Sequence, residues 1–134
     1  MIGGVSMERK VYELKDGPKA VGPYSIAAGY GDLLFVSGQI PIVPETGEIK
    51  SDAPIKEQAH QCLENLKTVL EKCGSSLERV IKCRIYITDM GQFGVLNEVY
   101  SGYFKVEPPA RAVVEVAGLP KGVDVEIEAV AGRG

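Results

Sequence analysis

The sequence has no tryptophan, a single histidine and only three cysteines in its 134 residues. With His60 as the only imidazole, and Cys62, Cys73 and Cys83 far apart, no metal-ligand spacing is present. An odd number of cysteines fits reduced thiols and a cytoplasmic location better than a disulfide framework. No apolar run approaches the roughly 18 residues that span a bilayer, which argues against a membrane partner. The opening MIGGVSMERK lacks the basic start and apolar stretch of a signal peptide. A more regular pattern starts at Met7, so residues 1–7 are expected to form a flexible extension. Positive charge is not in excess either. A net charge of −3 argues against binding a nucleic-acid phosphate backbone.

What remains is ordinary globular composition, 45% hydrophobic and 25% charged, at a length that suits one domain over residues 1–134. Short strands are expected over 9–14, 25–30 and 33–38, the last two joined by a Gly31-Asp32 hairpin turn. The clearest helix covers 54–73. Ile55, Ala59, Cys62, Leu63, Leu66, Val69, Leu70 and Cys73 form one apolar stripe of helical period. Ser51 or Asp52 can cap its start, and Gly74 can stop it. The opposite face, with His60 on it, reads as solvated.

A strand at 79–88 follows, with Ile81, Cys83, Ile85 and Ile87 on one face. A second helix at about 91–104 starts behind Asp89 and carries Phe93, Leu96, Tyr100, Tyr103 and Phe104 as its stripe, with Asn97 inside it. Pro108-Pro109 breaks the chain before strands at 110–116 and 123–130. The order β-β-β-α-β-α-β-β predicts an α+β two-layer sandwich with both helices on one side of the sheet. The uncovered face is expected to carry Lys82, Arg84 and Tyr86, then Arg111, Val113 and Glu115, then Glu126, Glu128 and Val130. That mixture suits either cross-strand ion pairs on a wet sheet or a subunit interface with charges at its margin.

Arg111, at the start of a strand, has the fork that grips a small carboxylate, but an arginine there also serves as a surface ion-pair residue. Glu126 can position a water or act as acid and base, or it can pair with Lys82 or Arg84. Tyr24 either faces a pocket or packs. The Ser37-Gly38 strand end either brings a backbone amide close to a ligand or only turns. Asn97 must find hydrogen-bond partners if buried. A Ser-His-Asp scheme has no imidazole in place, and the three cysteines sit on apolar stripes. Gly29-Tyr30-Gly31 lacks the third glycine and the following helix of a dinucleotide loop.

At these residues the sequence resembles the RidA (YjgF-type) family of reactive-intermediate deaminases. The matching stretches are GPYS (22–25), LLFVSGQIP with TGEI (33–41 and 46–49), QCLENLKTVLEKCG (61–74), VIKCRIYITDM (80–90) and NEVYSGYF (97–104). The most specific is PPARAVVEVAGLPKGVDVEIEAVA (108–131). The resemblance implies a chorismate-mutase-like homotrimer with a central sheet barrel and active clefts between subunits. It implies hydrolysis of enamine and imine intermediates such as 2-aminoacrylate to 2-oxo acids and ammonia, with no cofactor. Carried over residue by residue, Arg111 binds the substrate carboxylate, Glu126 holds the attacking water and Tyr24 lines the pocket near the reacting centre. Ser37 and Gly38 supply polar and backbone contacts, Asn97 completes the wall, and the Val113 carbonyl can meet the imine nitrogen. Many members carry Ser-Cys where this chain has Ala112-Val113, and Gln where it has Ile26. A thiol is therefore not available at that place.

Overall fold

A computed structural model describes residues 8–134, so the expected N-terminal extension over residues 1–7 lies outside the described residues. Six strands form one sheet: β1 (Arg9–Tyr12), β2 (Ala27–Tyr30), β3 (Leu33–Gln39), β4 (Val80–Ile87), β5 (Ala110–Glu115) and β6 (Val125–Gly132). The two α-helices are α1 (Ile55–Lys72) and α2 (Phe93–Tyr103). The spatial order is β1-β2-β3-β6-β4-β5. All pairings are antiparallel except β4 with β5, which are parallel and joined through α2. A parallel pair needs such a crossover, and the helix in it packs back on the sheet.

The core lies between one sheet face and the helices. Leu34 and Val36 of β3, Cys83, Ile85 and Ile87 of β4 and Val125, Ile127 and Ala129 of β6 meet Leu63, Leu66, Val69 and Leu70 of α1 and Leu96 of α2. All three cysteines are buried there as free thiols. The predicted α+β order and the helical stripe of α1 therefore match the structure. The cap does not. Pro54 occupies the N-cap of α1, and no side chain caps the first turn, so neither Ser51 nor Asp52 does so. Gly74 stops the helix as expected, with its backbone at φ 81°. Asp89 does cap the start of the next segment, accepting from the Gly91 amide at 2.9 Å, but a 3-10 turn at Met90–Gln92 comes first and α2 begins at Phe93.

Two placements on the sheet are corrected. Ile81 is 52% exposed, because the register slips between Val80 and Lys82 and puts Val80 rather than Ile81 on the core side. On β5, Arg111 pairs with Cys83 and Val113 with Ile85. In-register partners share a face, so Arg111, Val113 and Glu115 point toward the helices, not into the open face. The open face carries Lys82, Arg84 and Tyr86 together with Ala110, Ala112 and Val114 from β5. Glu126 and Glu128 stand there as expected, opposite Tyr86 and Arg84.

Candidate active site

Arg111 is the second residue of the edge strand β5 and is half-buried. Its guanidinium carbon lies 4.8 Å from the centre of the Tyr100 ring and 5.6 Å from that of Phe93. Both rings come from α2, two turns apart on one side of the helix. No carboxylate among the described residues forms an ion pair with Arg111. A guanidinium resting on ring faces keeps its in-plane N–H groups for an acceptor. Asn97 lies between the two aromatic positions in α2, and its Oδ1 is buried without a hydrogen-bond partner. Val113 follows on the same face of β5 and packs on the core. Beneath them the Cys83 thiol is pushed up to about 11 by burial, with Tyr100 and Arg111 opposing the rise, so it stays a neutral thiol at physiological pH.

A second group gathers around β3 and β6. Glu126 is partly buried, and burial raises its pKa, with Glu128 beside it as the second cause. Glu128 itself accepts the Tyr86 hydroxyl's hydrogen bond. The β3–β6 register shifts between Val36 and Gln39, and Ser37-Gly38 stands in that irregularity. The Glu126 carboxylate lies so close over Gly38 that a methyl group there would collide with its Oε2. This is why glycine fits the position. Ser37 Oγ donates to the Ser25 carbonyl at 2.6 Å and its amide donates to Ile26 at 3.0 Å, fastening the Gly22-Pro23-Tyr24-Ser25 turn to β3. The Tyr24 hydroxyl accepts from the Val21 amide at 3.1 Å. Tyr24, Ile26, Gly38 and Ile40 line a small cavity of about 150 Å³, and Asn65 supports it by donating to the Ile40 and Ile42 carbonyls at 3.2 and 2.8 Å.

One chain does not unite the two groups. Arg111, Asn97 and Val113 lie on the helix side at the β5 edge. Glu126 lies on the open face two strands away, with β4 between. Phe93 and Tyr100 read as mere core stripe in the sequence. Their only signal was a pair of aromatics flanking Asn97 on the helix that precedes the arginine strand. A cavity of about 1080 Å³ between the outer sides of α1 and α2 includes neither Arg111 nor Glu126. In it the Tyr103 hydroxyl lies 2.7 Å from His60 Nδ1 and donates to Glu64 at 2.7 Å, so His60 is exposed but not simply solvated. Among the described residues no cluster of three His, Cys, Asp or Glu is placed to hold a metal ion, and no helix is long and apolar enough to cross a membrane.

The chain is similar to proteins that carry deaminase, RutC and endoribonuclease names. A RutC family protein of Pyrococcus abyssi is 50% identical over 126 residues, 93% of this chain and 98% of its own length. TdcF of Escherichia coli, provisionally named a reactive intermediate deaminase, is 42% identical over 128 residues, again 93% and 98% of the two chains. The crystal structure of E. coli TdcF with bound serine superposes with a TM-score of 0.86 at 42% identity, covering 93% of this chain and 99% of that one. The crystal structure of the E. coli YjgF gene product gives a TM-score of 0.86 at 38% identity over 93% and 99% of the chains. The family model described as Endoribonuclease L-PSP matches residues 14–132. The chain belongs to this YjgF/RidA family, with a reactive-intermediate deaminase role supported by its relatives.

Proposed function

We propose that this protein hydrolyses reactive 2-imino and 2-enamino acids of the 2-aminoacrylate type to 2-oxo acids and ammonia, in a cleft formed between the subunits of a homotrimer. The observation that carries this reading is Arg111. It is a half-buried cation at a sheet edge, seated on two rings, with its N–H groups uncommitted to any carboxylate among the described residues. Such a fork suits the carboxylate of a small acid.

The same geometry supports the proposed assembly. Arg111 and Glu126 stand on opposite faces of one sheet, so the cleft needs Glu126, Gly38 and Tyr24 of one protomer against Arg111, Asn97 and Val113 of a neighbour. The open sheet face supports such packing. Phe35 is 48% exposed and Val114 41%, and Ile81, beside the slip in β4, is also exposed.

The chemistry asks little of the protein. An imine carbon is already electrophilic, so fixing the carboxylate and placing one water supplies most of the advantage. Glu126, whose pKa burial raises, enters as the acid and first protonates the enamine carbon or the imine nitrogen. As carboxylate it then takes a proton from the attacking water. The new C–O bond forms at C2, and the proton taken from water passes to nitrogen. The C–N bond breaks to release ammonia while the C2 hydroxyl gives its proton back to Glu126, which leaves the 2-oxo acid and restores the protonated carboxyl. The Val113 carbonyl would accept from the imine N–H, and Ser37 would line the wall through its oxygen.

The test couples a PLP-dependent serine dehydratase, which generates 2-aminoacrylate, to detection of pyruvate. Acceleration by wild type that is lost in Arg111→Ala supports the proposal. A second reading draws on the serine bound to the relative TdcF: a trimer that holds small amino or 2-oxo acids without turnover. It predicts saturable binding of pyruvate and an unchanged rate of pyruvate release. A ribonuclease role, which the family model's name suggests, draws no support from this site. The only histidine lies in the outer helical groove, away from Arg111 and Glu126, and the net charge is −3.

A further inference from the structure

We infer that Tyr100 and Phe93 are positioning residues of the site: their ring faces form a shelf that holds the Arg111 guanidinium in the orientation that receives a carboxylate. This rests on the reading of Arg111 as the carboxylate grip. Arginine carries several free rotations, and an unpaired one at a sheet edge would spend most of its time in other rotamers. Here the guanidinium carbon lies 4.8 Å from the Tyr100 ring centre and 5.6 Å from that of Phe93. A cation over an aromatic face is held by the ring quadrupole, and the hold strengthens as water is excluded. The Tyr100 ring is only 6% exposed, so one side of the seat is dry, while Phe93 at 37% exposure closes the outer side.

The seat uses the face of the guanidinium and leaves its edge free. A carboxylate partner would have held the side chain as well, but it would have occupied the N–H groups that a ligand needs. The Tyr100 hydroxyl makes no hydrogen bond with Arg111, which it meets through its ring face; the side chain its hydroxyl interacts with is the Cys83 thiol. The ring, not the hydroxyl, is therefore the working part.

The experiment compares Tyr100→Leu, Phe93→Leu and Tyr100→Phe with wild type in two readouts, pyruvate affinity by calorimetry and the kinetics of the dehydratase-coupled assay. Each leucine variant is expected to weaken pyruvate binding and raise KM by about tenfold, with kcat changed less than about threefold. Tyr100→Phe, which keeps the ring, is expected to recover most of what Tyr100→Leu loses. Phe93→Leu guards against a folding artefact, because Phe93 is partly exposed. Leucine variants with pyruvate affinity and KM within about twofold of wild type overturn the inference, and so does a Tyr100→Phe variant as weak as Tyr100→Leu. Wild type that binds pyruvate without turnover removes the deaminase reading, and the shelf is then judged on pyruvate affinity alone. Wild type that neither binds nor turns over overturns both.

Discussion

Glu126 holds its proton more tightly than an ordinary glutamate because burial opposes its charge, and the neighbouring Glu128 adds to the effect. A folded-state pKa above the unfolded value means that acid favours the native state. The associated stability is present below the unfolded pKa and is lost as pH rises through the folded one. Glu126→Gln is therefore expected to raise Tm near pH 8 by roughly a few degrees, and to have a smaller effect near pH 4, by calorimetry at both values. An equal gain at both pH values contradicts the burial argument. Gly38 gives a second prediction. A methyl group there meets the movable tip of Glu126 rather than backbone, so Gly38→Ala displaces the carboxylate without breaking the fold. Turnover is expected to fall by about a hundredfold, with Tm within a few degrees of wild type. Full activity in Gly38→Ala would show that the position of Glu126 does not matter. Residue types at these places were legible in the sequence. What each side chain already held was not: nothing in the letters says that Ser37 donates to the Ser25 carbonyl or that two rings seat Arg111.

The elements place these residues through a few polar ties. Buried Gln58 of α1 donates to the Ala53 carbonyl at 2.9 Å and to Asp124 Oδ2 at 3.1 Å, and it accepts from the Asp124 amide at 2.8 Å. Thr88 Oγ1 donates to Asp124 Oδ1 at 2.9 Å. This clamp fixes the entry to β6 two residues before Glu126. Gln58→Leu strands the Asp124 groups and is expected to cost about 1–3 kcal/mol in urea unfolding. A loss below about 0.5 kcal/mol would mean that water replaces the clamp. The α1 helix was readable because its stripe repeats at 3.6 residues for five turns. Strand parity was less so. In β5 both alternating sets mix apolar with polar or small residues, so the strand alone does not say which set faces the helices. Only the ladder with β4 decides it. The slip at Ile81 likewise has no mark in a run of alternating apolar residues.

At the scale of the molecule, the sheet has one face sealed by helices and one left open. The open face combines Phe35, Tyr86 and Val114 with Lys82, Arg84, Glu126 and Glu128. The sequence showed that such a face exists, and the proposed trimer gives it an occupant. Light scattering is expected to give three times the 14.4 kDa chain mass, and Phe35→Glu is expected to shift the population toward smaller species. A single-chain mass for wild type would leave Arg111 and Glu126 without a shared cleft.

The most direct test of the account is the rate of pyruvate release from dehydratase-generated 2-aminoacrylate, measured with wild type and with Arg111→Ala side by side. The account predicts clear acceleration by wild type, and a fall of at least about a hundredfold in kcat/KM when the guanidinium is removed. An Arg111→Ala protein as fast as wild type, or a wild type no faster than the uncatalysed release, would contradict it.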